Sequence, residues 1–389
     1  MTARPALPRV VFVLGAVSFC ADLASEMIVP LLPALVASLG GGMLQLGLLQ
    51  GLSDLAVAAL KIVSGRWSDR QRRRKPWILG GYLLSALLRP LFAIVGTPAQ
   101  AVLVRIGDRV GKGLRSAPRD ALLTAAVPAD QRGHAFGVQR ALDHAGALAG
   151  ALLASGLLAL GCELRLVFAL ALVPGLLAVV TIVTGVRDVE APPAAVAATQ
   201  PWPRGLAPLL AFVGLSAVSA GVDLFALALA AAWGTPTVQL PLLWALLHVT
   251  RSSLAAPLGR WSDTLGRRRV IALGLLFHAL VLLGFASCDA AWAAWPLFAL
   301  LGLHAAFTEG AERGLVADRI GPDRRGAAFG VYHAVQGLAA CLGAVLLGFV
   351  WEQHGAPAAF VTAAGSAVLA LVTLRFASQP RLTAAGSSA

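Results

Sequence analysis

Charged side chains are concentrated in one short stretch of an otherwise apolar region, DRVGKGLRSAPRD at residues 108–120. Together with a residue just upstream, several follow a three-four spacing that places them on one helix face: Arg105, Asp108, Lys112, Arg115 and Arg119. Arg109 and Asp120 add two further charges. Groups arranged in this way can bind a charged solute, exchange protons or form ion pairs. Because the flanking residues are apolar, the helix is predicted to lie in a membrane, where unpaired charges are costly.

Two interpretations of this charged face are open. The charges can pair with one another and stabilise the surrounding helices, or they can line a water-filled path for a solute. So many charges on one face exceed what packing requires, which favours the lining. Gly107, Gly111 and Gly113 lie in the same helix and would let a neighbouring helix approach closely.

The composition is that of an all-α polytopic membrane protein. Of 389 residues, 58% are hydrophobic and only 13% are charged. Continuous apolar runs, long enough to cross a hydrocarbon layer of ~30 Å, recur along the chain and exclude the alternating pattern of a β-barrel. We predict twelve spans, at residues 10–33, 44–64, 76–96, 99–122, 132–156, 164–185, 206–231, 238–258, 270–288, 291–313, 326–350 and 357–377.

Arg and Lys are distributed unevenly among the predicted loops. The loops after spans 2, 8 and 10 are rich in basic residues, whereas the opposite loops contain none except Arg165. Both termini are therefore predicted to be cytoplasmic, in a multi-pass protein of the bacterial cytoplasmic (inner) membrane. This topology accounts for the net charge of +12 without nucleic-acid binding.

The sequence repeats itself. GRWSD occurs at 65–69 and again at 259–263, and RGHAFGV at 132–138 is matched by RGAAFGV at 325–331. A parallel repeat of six spans per half predicts two pseudo-symmetric six-helix bundles related by an axis along the membrane normal.

The repeat also fixes the predicted domains. Residues 1–188 would form the N-terminal bundle and residues 206–389 the C-terminal bundle. The Pro- and Ala-rich segment 189–205 between them is predicted to be a cytoplasmic linker. The repeat aligns Asp22 of span 1 with Asp223 of span 7.

The doubled loop resembles the signature loop of the major facilitator superfamily, which has a Gly, an Asp four residues later and a basic cluster. The two copies are GRWSDRQRRRK at 65–75 and GRWSDTLGRRR at 259–269. More narrowly, DLASEMIVPLLP and DRVGKGLRSAPRDAL look like a bacterial subgroup that includes nickel-resistance efflux proteins. The resemblance implies a transporter that works by alternating access, with spans 1, 4, 7 and 10 lining a central cavity.

The resemblance also implies a gate at the cytoplasmic side. Asp69 is expected near the N-terminus of span 11, where the helix dipole is positive, and Arg73 beside Asp120. Asp263 and Arg267 occupy the second copy of the loop.

Within the cavity we expect the inner charges of span 4 to complete this gate. Arg115 and Arg119 are predicted to pair with Glu309 and Glu312 of span 10 and to separate when the cytoplasmic side opens.

A coupling and substrate region is predicted deeper in the membrane. It comprises Asp22, Glu26, Arg105, Asp108, Arg109, Lys112 and Asp223. Asp22 and Glu26, one helical turn apart, are the expected counter-charges of the outer part of the span 4 face. For Asp22 a structural salt bridge and a role in proton or substrate binding are both open. Carboxylates beside basic groups can exchange protons as access switches.

Two residues of span 2 are harder to assign. Lys61 is expected to extend to the cytoplasmic interface. Asp54 lies in mid-span, and the repeat aligns it with His248, so any role would not be symmetric.

These features predict a secondary active transporter, with proton-coupled efflux of a small solute as the first hypothesis. Divalent-metal efflux through carboxylate ligands and uptake of an anionic solute are the alternatives. The sequence has no GxxxxGK[ST] loop, HExxH motif or metal-ligand spacing of its four Cys, so we expect no enzyme activity, cofactor or bound metal. A membrane enzyme or lipid-handling protein is the competing class. The expected partners are a small molecule, protons and the lipid bilayer, and we expect a monomer.

Overall fold

The computed structural model describes residues 7–70, 73–128, 131–188, 206–319 and 325–377, and no strand occurs within them. Helices cover each of the twelve predicted spans. In the N-terminal half the helices of spans 1 to 6 are Arg9–Glu26 with Leu32–Ser38, Met43–Arg70, Lys75–Leu88, Pro98–Ala126, Arg132–Ala159, and Leu164–Leu170 with Leu172–Gly185. In the C-terminal half those of spans 7 to 12 are Leu206–Ala220 with Asp223–Ala232, Leu240–Leu265, Arg267–Ser287, Ala294–Arg319, and Arg325–Phe376 for the last two.

Several spans differ in detail from their predicted outlines. Span 1 is interrupted between Glu26 and a 3-10 turn at Val29–Leu31, where Pro30 lacks a backbone N–H to donate. Span 7 is interrupted just before Asp223. Spans 11 and 12 are separated at Gly355, whose φ of 85° lies in the region that glycine tolerates and other residues avoid.

Hydropathy alone identifies nine helices of the described residues as able to cross a membrane. One of them, Gly330–Phe376, contains the break at Gly355 and therefore covers two predicted spans. The two predicted spans that this criterion does not identify are spans 4 and 8. Span 4 carries the charged face, and span 8 carries Arg251 together with His248 and several polar residues. Charges inside a membrane span are expensive and are a sign of function.

At one end of the molecule the two halves share a single apolar core, and at the other end they do not. We call the end that carries the Arg-rich loops the basic end, and the opposite end the neutral end. Towards the neutral end a single core combines residues of both halves, for example Phe92 and Phe168 with Phe225 and Phe298. Towards the basic end each half has its own separate core. The halves are therefore packed together at the neutral end and apart at the basic end.

Glycines bring spans 2 and 11 into backbone contact at the neutral end. A Cβ atom at Gly47 would lie 2.3 Å from the Ala344 carbonyl oxygen, and one at Gly348 would lie 2.4 Å from that of Met43. The Leu44 N–H donates to the Glu352 carboxylate across the same contact, at 2.9 Å. Small residues allow this approach, which a larger side chain would prevent.

Arg165, the basic residue that departs from the loop pattern, has a local explanation. Its guanidinium donates to the carbonyl oxygens of Ala93 and Val95, each at 3.2 Å. These carbonyls lie at the neutral end of span 3, where backbone acceptors have no partner within the helix. Arg165 thus completes the end of a helix.

Candidate functional site

Asp108 is the centre of a buried ion-pair cluster in the N-terminal half. Its carboxylate lies 2.9 Å from Arg89 Nε, 3.4 Å from Arg105 Nη1 and 3.7 Å from Arg109 Nε. Arg89 also donates to the Ala21 carbonyl oxygen at 2.8 Å, so the cluster joins spans 1, 3 and 4. Asp108 is only 1% exposed. These contacts offset the cost of burying the Asp108 carboxylate in an apolar interior.

Arg89 is a member of this cluster that the sequence analysis missed. It lies in the motif LLRP near the end of span 3. The available signal was a lone Arg within an apolar span, which implies a buried acidic partner.

The expected counter-charges of the outer face are found only in part: Glu26 lies within electrostatic range of Arg105, Arg109 and Lys112 but forms no direct ion pair with them. Arg105 and Arg109 pair with Asp108, not with Asp22 or Glu26. The reason is proximity, because Asp108 lies on the same helix within three residues of each arginine. Glu26 instead accepts a hydrogen bond from Trp244 Nε1 of span 8 at 2.7 Å, which links the two halves.

The inner arginines of span 4 pack within the N-terminal half. Arg115 donates to Ser85 Oγ at 2.7 Å, and its guanidinium lies 4.2 Å from the centre of the Tyr82 ring. Arg119 donates to Ser18 Oγ at 2.8 Å and forms an ion pair with Asp120 at 3.2 Å. Close approach of spans 3 and 4 depends on glycine, as predicted: a Cβ at Gly111 would lie 2.6 Å from the Gly81 carbonyl oxygen.

The acidic residues of span 10 have partners in the C-terminal half. Glu309 forms an ion pair with Arg251 of span 8. Glu312 accepts hydrogen bonds from Ser216 Oγ at 2.8 Å and from the Tyr332 hydroxyl at 3.4 Å. The predicted cross-cavity pairs with span 4 are thus not formed in this conformation, in which the halves are separate at the basic end.

The predicted gate loops are described only in part. Asp69 and its expected neighbour at the N-terminus of span 11, Gly326, lie outside the residues whose side chains are described. Arg73 is exposed. In the second loop Arg267 bridges Asp263 at 3.5 Å and Asp318 at 2.9 Å.

Asp318 was not among the predicted residues. It lies near the end of span 10 beside the basic loop, and its spacing from the signature motif gave no indication of contact. The bridge places span 10 against the loop between spans 8 and 9.

Two charged chambers lie within the protein. The acidic chamber, of about 380 Å³, lies between span 2 and the C-terminal half; its charged lining residues are Asp54, Lys61, Asp223, Arg251, Glu309 and Glu312. The basic chamber, of about 200 Å³, lies within the N-terminal half; its charged lining residues are Asp22, Lys61, Lys112, Arg115, Arg119, Asp120, Arg140 and Asp143. Lys61 lines both chambers, so it does not simply extend to the interface as predicted.

Histidines line the acidic chamber without forming a metal centre. His278 and His304 stack with ring centres 3.7 Å apart, and each is bonded at 3.1 Å to a backbone carbonyl, those of Ser219 and Gly274. Within the described ranges, no three His, Cys, Asp or Glu side chains are grouped so that they could hold a metal ion. These two histidines are hydrogen-bonded helix residues.

Two helical halves that are packed at one end and enclose charged chambers in mid-membrane define a polytopic transport protein. The chain belongs to the Major Facilitator Superfamily, whose sequence profile matches residues 14–252 and 249–388. It is therefore a membrane transporter and not an enzyme.

Similar proteins cover nearly the whole chain. An uncharacterized MFS-type transporter of Methanocaldococcus jannaschii is 30% identical over 357 residues, which is 89% of each chain. The class E tetracycline resistance protein of Escherichia coli is 25% identical over 395 residues, which is 95% of each chain. Among solved structures, the D323A mutant of the nucleoside transporter NupG superposes with a TM-score of 0.79 at 15% identity, covering 95% of this chain and all of that one. At this low sequence identity, the similarity to NupG concerns the fold alone.

Proposed function

We propose that the protein is a proton-coupled secondary transporter that exports a small solute across the bacterial cytoplasmic membrane by alternating access. The observation that carries the proposal is the arrangement of the cores, shared at the neutral end and separate at the basic end. With a cytoplasmic basic end, this conformation is open inward. The bundles would be residues 1–188 and 206–389, joined by a cytoplasmic linker at 189–205, and both termini would be cytoplasmic.

Export is supported by the names of relatives. The E. coli relative is a tetracycline resistance protein, and a multidrug resistance protein of Cronobacter sakazakii matches 123 residues at 36% identity. Uptake of an anionic solute is a second candidate, which the basic chamber favours. Efflux of a nickel-like divalent metal has no support from ligand geometry within the described residues.

Proton coupling is assigned to the acidic residues of span 1. Asp22 lines the basic chamber, and Lys112 is close enough to interact electrostatically with both Asp22 and Glu26. Movement of Lys112 relative to these carboxylates during the transport cycle would change their affinity for protons. Glu26 contacts Trp244 of the other half, so its surroundings change whenever the neutral end opens.

Replacement of Asp22 by Asn is expected to abolish proton movement while leaving solute exchange intact. The amide keeps the shape of the side chain but cannot bind and release a proton at neutral pH. The measurement uses proteoliposomes containing a pH-sensitive dye, with a solute that stimulates proton flux by the wild-type protein. Asp289→Asn, at an exposed carboxylate of the neutral end, is the control and should resemble wild type. Wild-type proton flux in Asp22→Asn would remove Asp22 from the coupling site.

The gate makes a separate prediction about conformation. We expect Glu312→Gln to weaken closure of the basic end, because Arg115 and Arg119 would lose an anionic partner in the closed state. Spin labels at Ala125 in span 4 and Leu265 in span 8 would report the separation of the halves, and the distribution should shift towards longer distances. Glu163→Gln, in a loop of the neutral end, is the matched control. Identical distributions in Glu312→Gln and wild type at both high and low pH would exclude the gate.

A further inference from the structure

The two chambers differ in the sign of their charge. The described lining of the basic chamber has five cationic side chains and three carboxylates. The described lining of the acidic chamber has four carboxylates and two cationic side chains, one of which is Lys61, shared by both. A solute that spans the shared boundary at Lys61 would therefore meet positive potential on one side and negative potential on the other.

Several of these charges form ion pairs with one another, and those that do not are the groups available to bind a solute. One of them is Asp22, which lies within electrostatic range of Lys112. In the basic chamber Arg115 and Arg119 have the partners given above, whereas the Lys112 and Lys61 ammonium groups have no hydrogen bond or ion pair with described residues. The excess of positive charge is thus carried by lysines that can reorient.

The acidic chamber has the opposite excess. The Asp223 carboxylate has no hydrogen bond or ion pair within the described part of the chain. Among the described residues, Asp54 accepts a hydrogen bond from the neutral amide of Gln50 at 2.8 Å, and Glu312 accepts hydrogen bonds from two neutral hydroxyl groups. Arg251 is the counter-charge of Glu309. Acidic side chains that form no direct ion pair with a described residue therefore face the cavity from spans 2, 7 and 10, although Arg251 lies within electrostatic range of Asp223.

We propose that the two chambers, which share Lys61 as a lining residue, together bind an amphoteric solute, with its anionic group at Lys112 and Lys61 and its cationic group at Asp223 and Glu312. This inference rests on the proposed transport function and names its substrate class. A charge that leaves water is stabilised only when it meets an opposite charge or hydrogen-bonding partners. A solute with both charges satisfies both walls, whereas a singly charged solute leaves one wall uncompensated. The larger chamber has a volume typical of small-molecule sites, which hold about 300–1,000 Å³.

The test compares charge variants of one scaffold. The probes are phenylalanine, 6-aminohexanoate and alanyl-phenylalanine, each also as the N-acetyl form, which keeps only the anion, and as the methyl ester, which keeps only the cation. Dissociation constants come from the dependence of the unfolding midpoint of the purified full-length protein on probe concentration. We expect at least one zwitterion to bind about tenfold more tightly than either of its blocked forms.

Two substitutions locate the two charges. In Lys112→Gln the zwitterion should lose its advantage over the methyl ester but keep its advantage over the N-acetyl form. In Asp223→Asn the pattern should be reversed. Lys75→Gln and Asp289→Asn, which change charges outside both chambers, are the matched controls and should leave every ratio unchanged.

The outcomes separate this inference from the proposed function. If only the methyl esters bind, the solute is a cation, and if only the N-acetyl forms bind, it is an anion. Either result overturns the amphoteric assignment. The absence of binding by all three zwitterions overturns it as well. Solute-stimulated proton flux in proteoliposomes would still establish proton-coupled transport in each of these cases. Zwitterion binding without any flux in the presence of a pH gradient would contradict the proposed function and leave the binding site intact.

Discussion

Replacing Asp108 with Asn is expected to destabilise the protein more than any other single change of a charged side chain in span 4. The substitution would leave Arg89, Arg105 and Arg109 in an apolar interior without their common anion. Removing one partner of a buried ion pair typically lowers the free energy of unfolding by about 3–5 kcal/mol. The measurement is the thermal unfolding midpoint of the detergent-purified protein, together with the yield of folded protein on size exclusion.

An exposed ion pair of the same helix provides the control. Asp120 pairs with Arg119, but its side chain is 49% exposed, and such pairs contribute only about 0–1 kcal/mol. Asp120→Asn should therefore unfold close to the wild-type temperature. The double variant Arg89→Gln with Asp108→Asn should lose less stability than the sum of the single changes, because one stranded charge is removed as well. Equal midpoints for Asp108→Asn and Asp120→Asn would show that the cluster does not stabilise the fold.

Replacing Gly47 with Leu is expected to prevent closure of the neutral end and so to stop transport. The first side-chain atom alone would lie 2.3 Å from a backbone oxygen of span 11, which cannot move aside as a flexible side chain can. The protein should then populate the conformation that is open at the neutral end. Transport should fall to background because alternating access requires both conformations.

The change is measured with spin labels on the two halves at the neutral end. Leu160 and Trp292 are 83% and 73% exposed, and they would carry the labels in a background without the four native cysteines. Gly47→Leu should lengthen the distance between them. Gly80→Leu is the control, because a Cβ at Gly80 meets nothing within 4 Å. An unchanged distance in Gly47→Leu, with transport retained, would mean that the glycine contact does not control closure.

The sequence by itself determined the membrane class, the positions of the twelve spans and the repeat. These properties depend on the composition of local windows and on the spacing of short motifs, neither of which requires knowledge of how helices are rotated. Spans 4 and 8 illustrate the point. The charged face of span 4 and the polar residues around Arg251 in span 8 hide them from hydropathy, but their place in the repeat reveals them. The contact of Gly111 with span 3 was predictable for the same reason, because close helix packing selects small residues locally.

The pairing of charges was decided only by the tertiary structure. Arg105 had two candidate partners, Asp108 three residues along its own helix and Asp22 in span 1, and the structure pairs it with Asp108. Arg89 binds Asp108, which is 19 residues away in the chain, and Trp244 binds Glu26, which is 218 residues away. The strength of a buried ion pair depends on separations of a few ångströms and on the surrounding dielectric, and both are set by helix rotation and packing between the halves. The division of the interior into a basic and an acidic chamber follows from that packing.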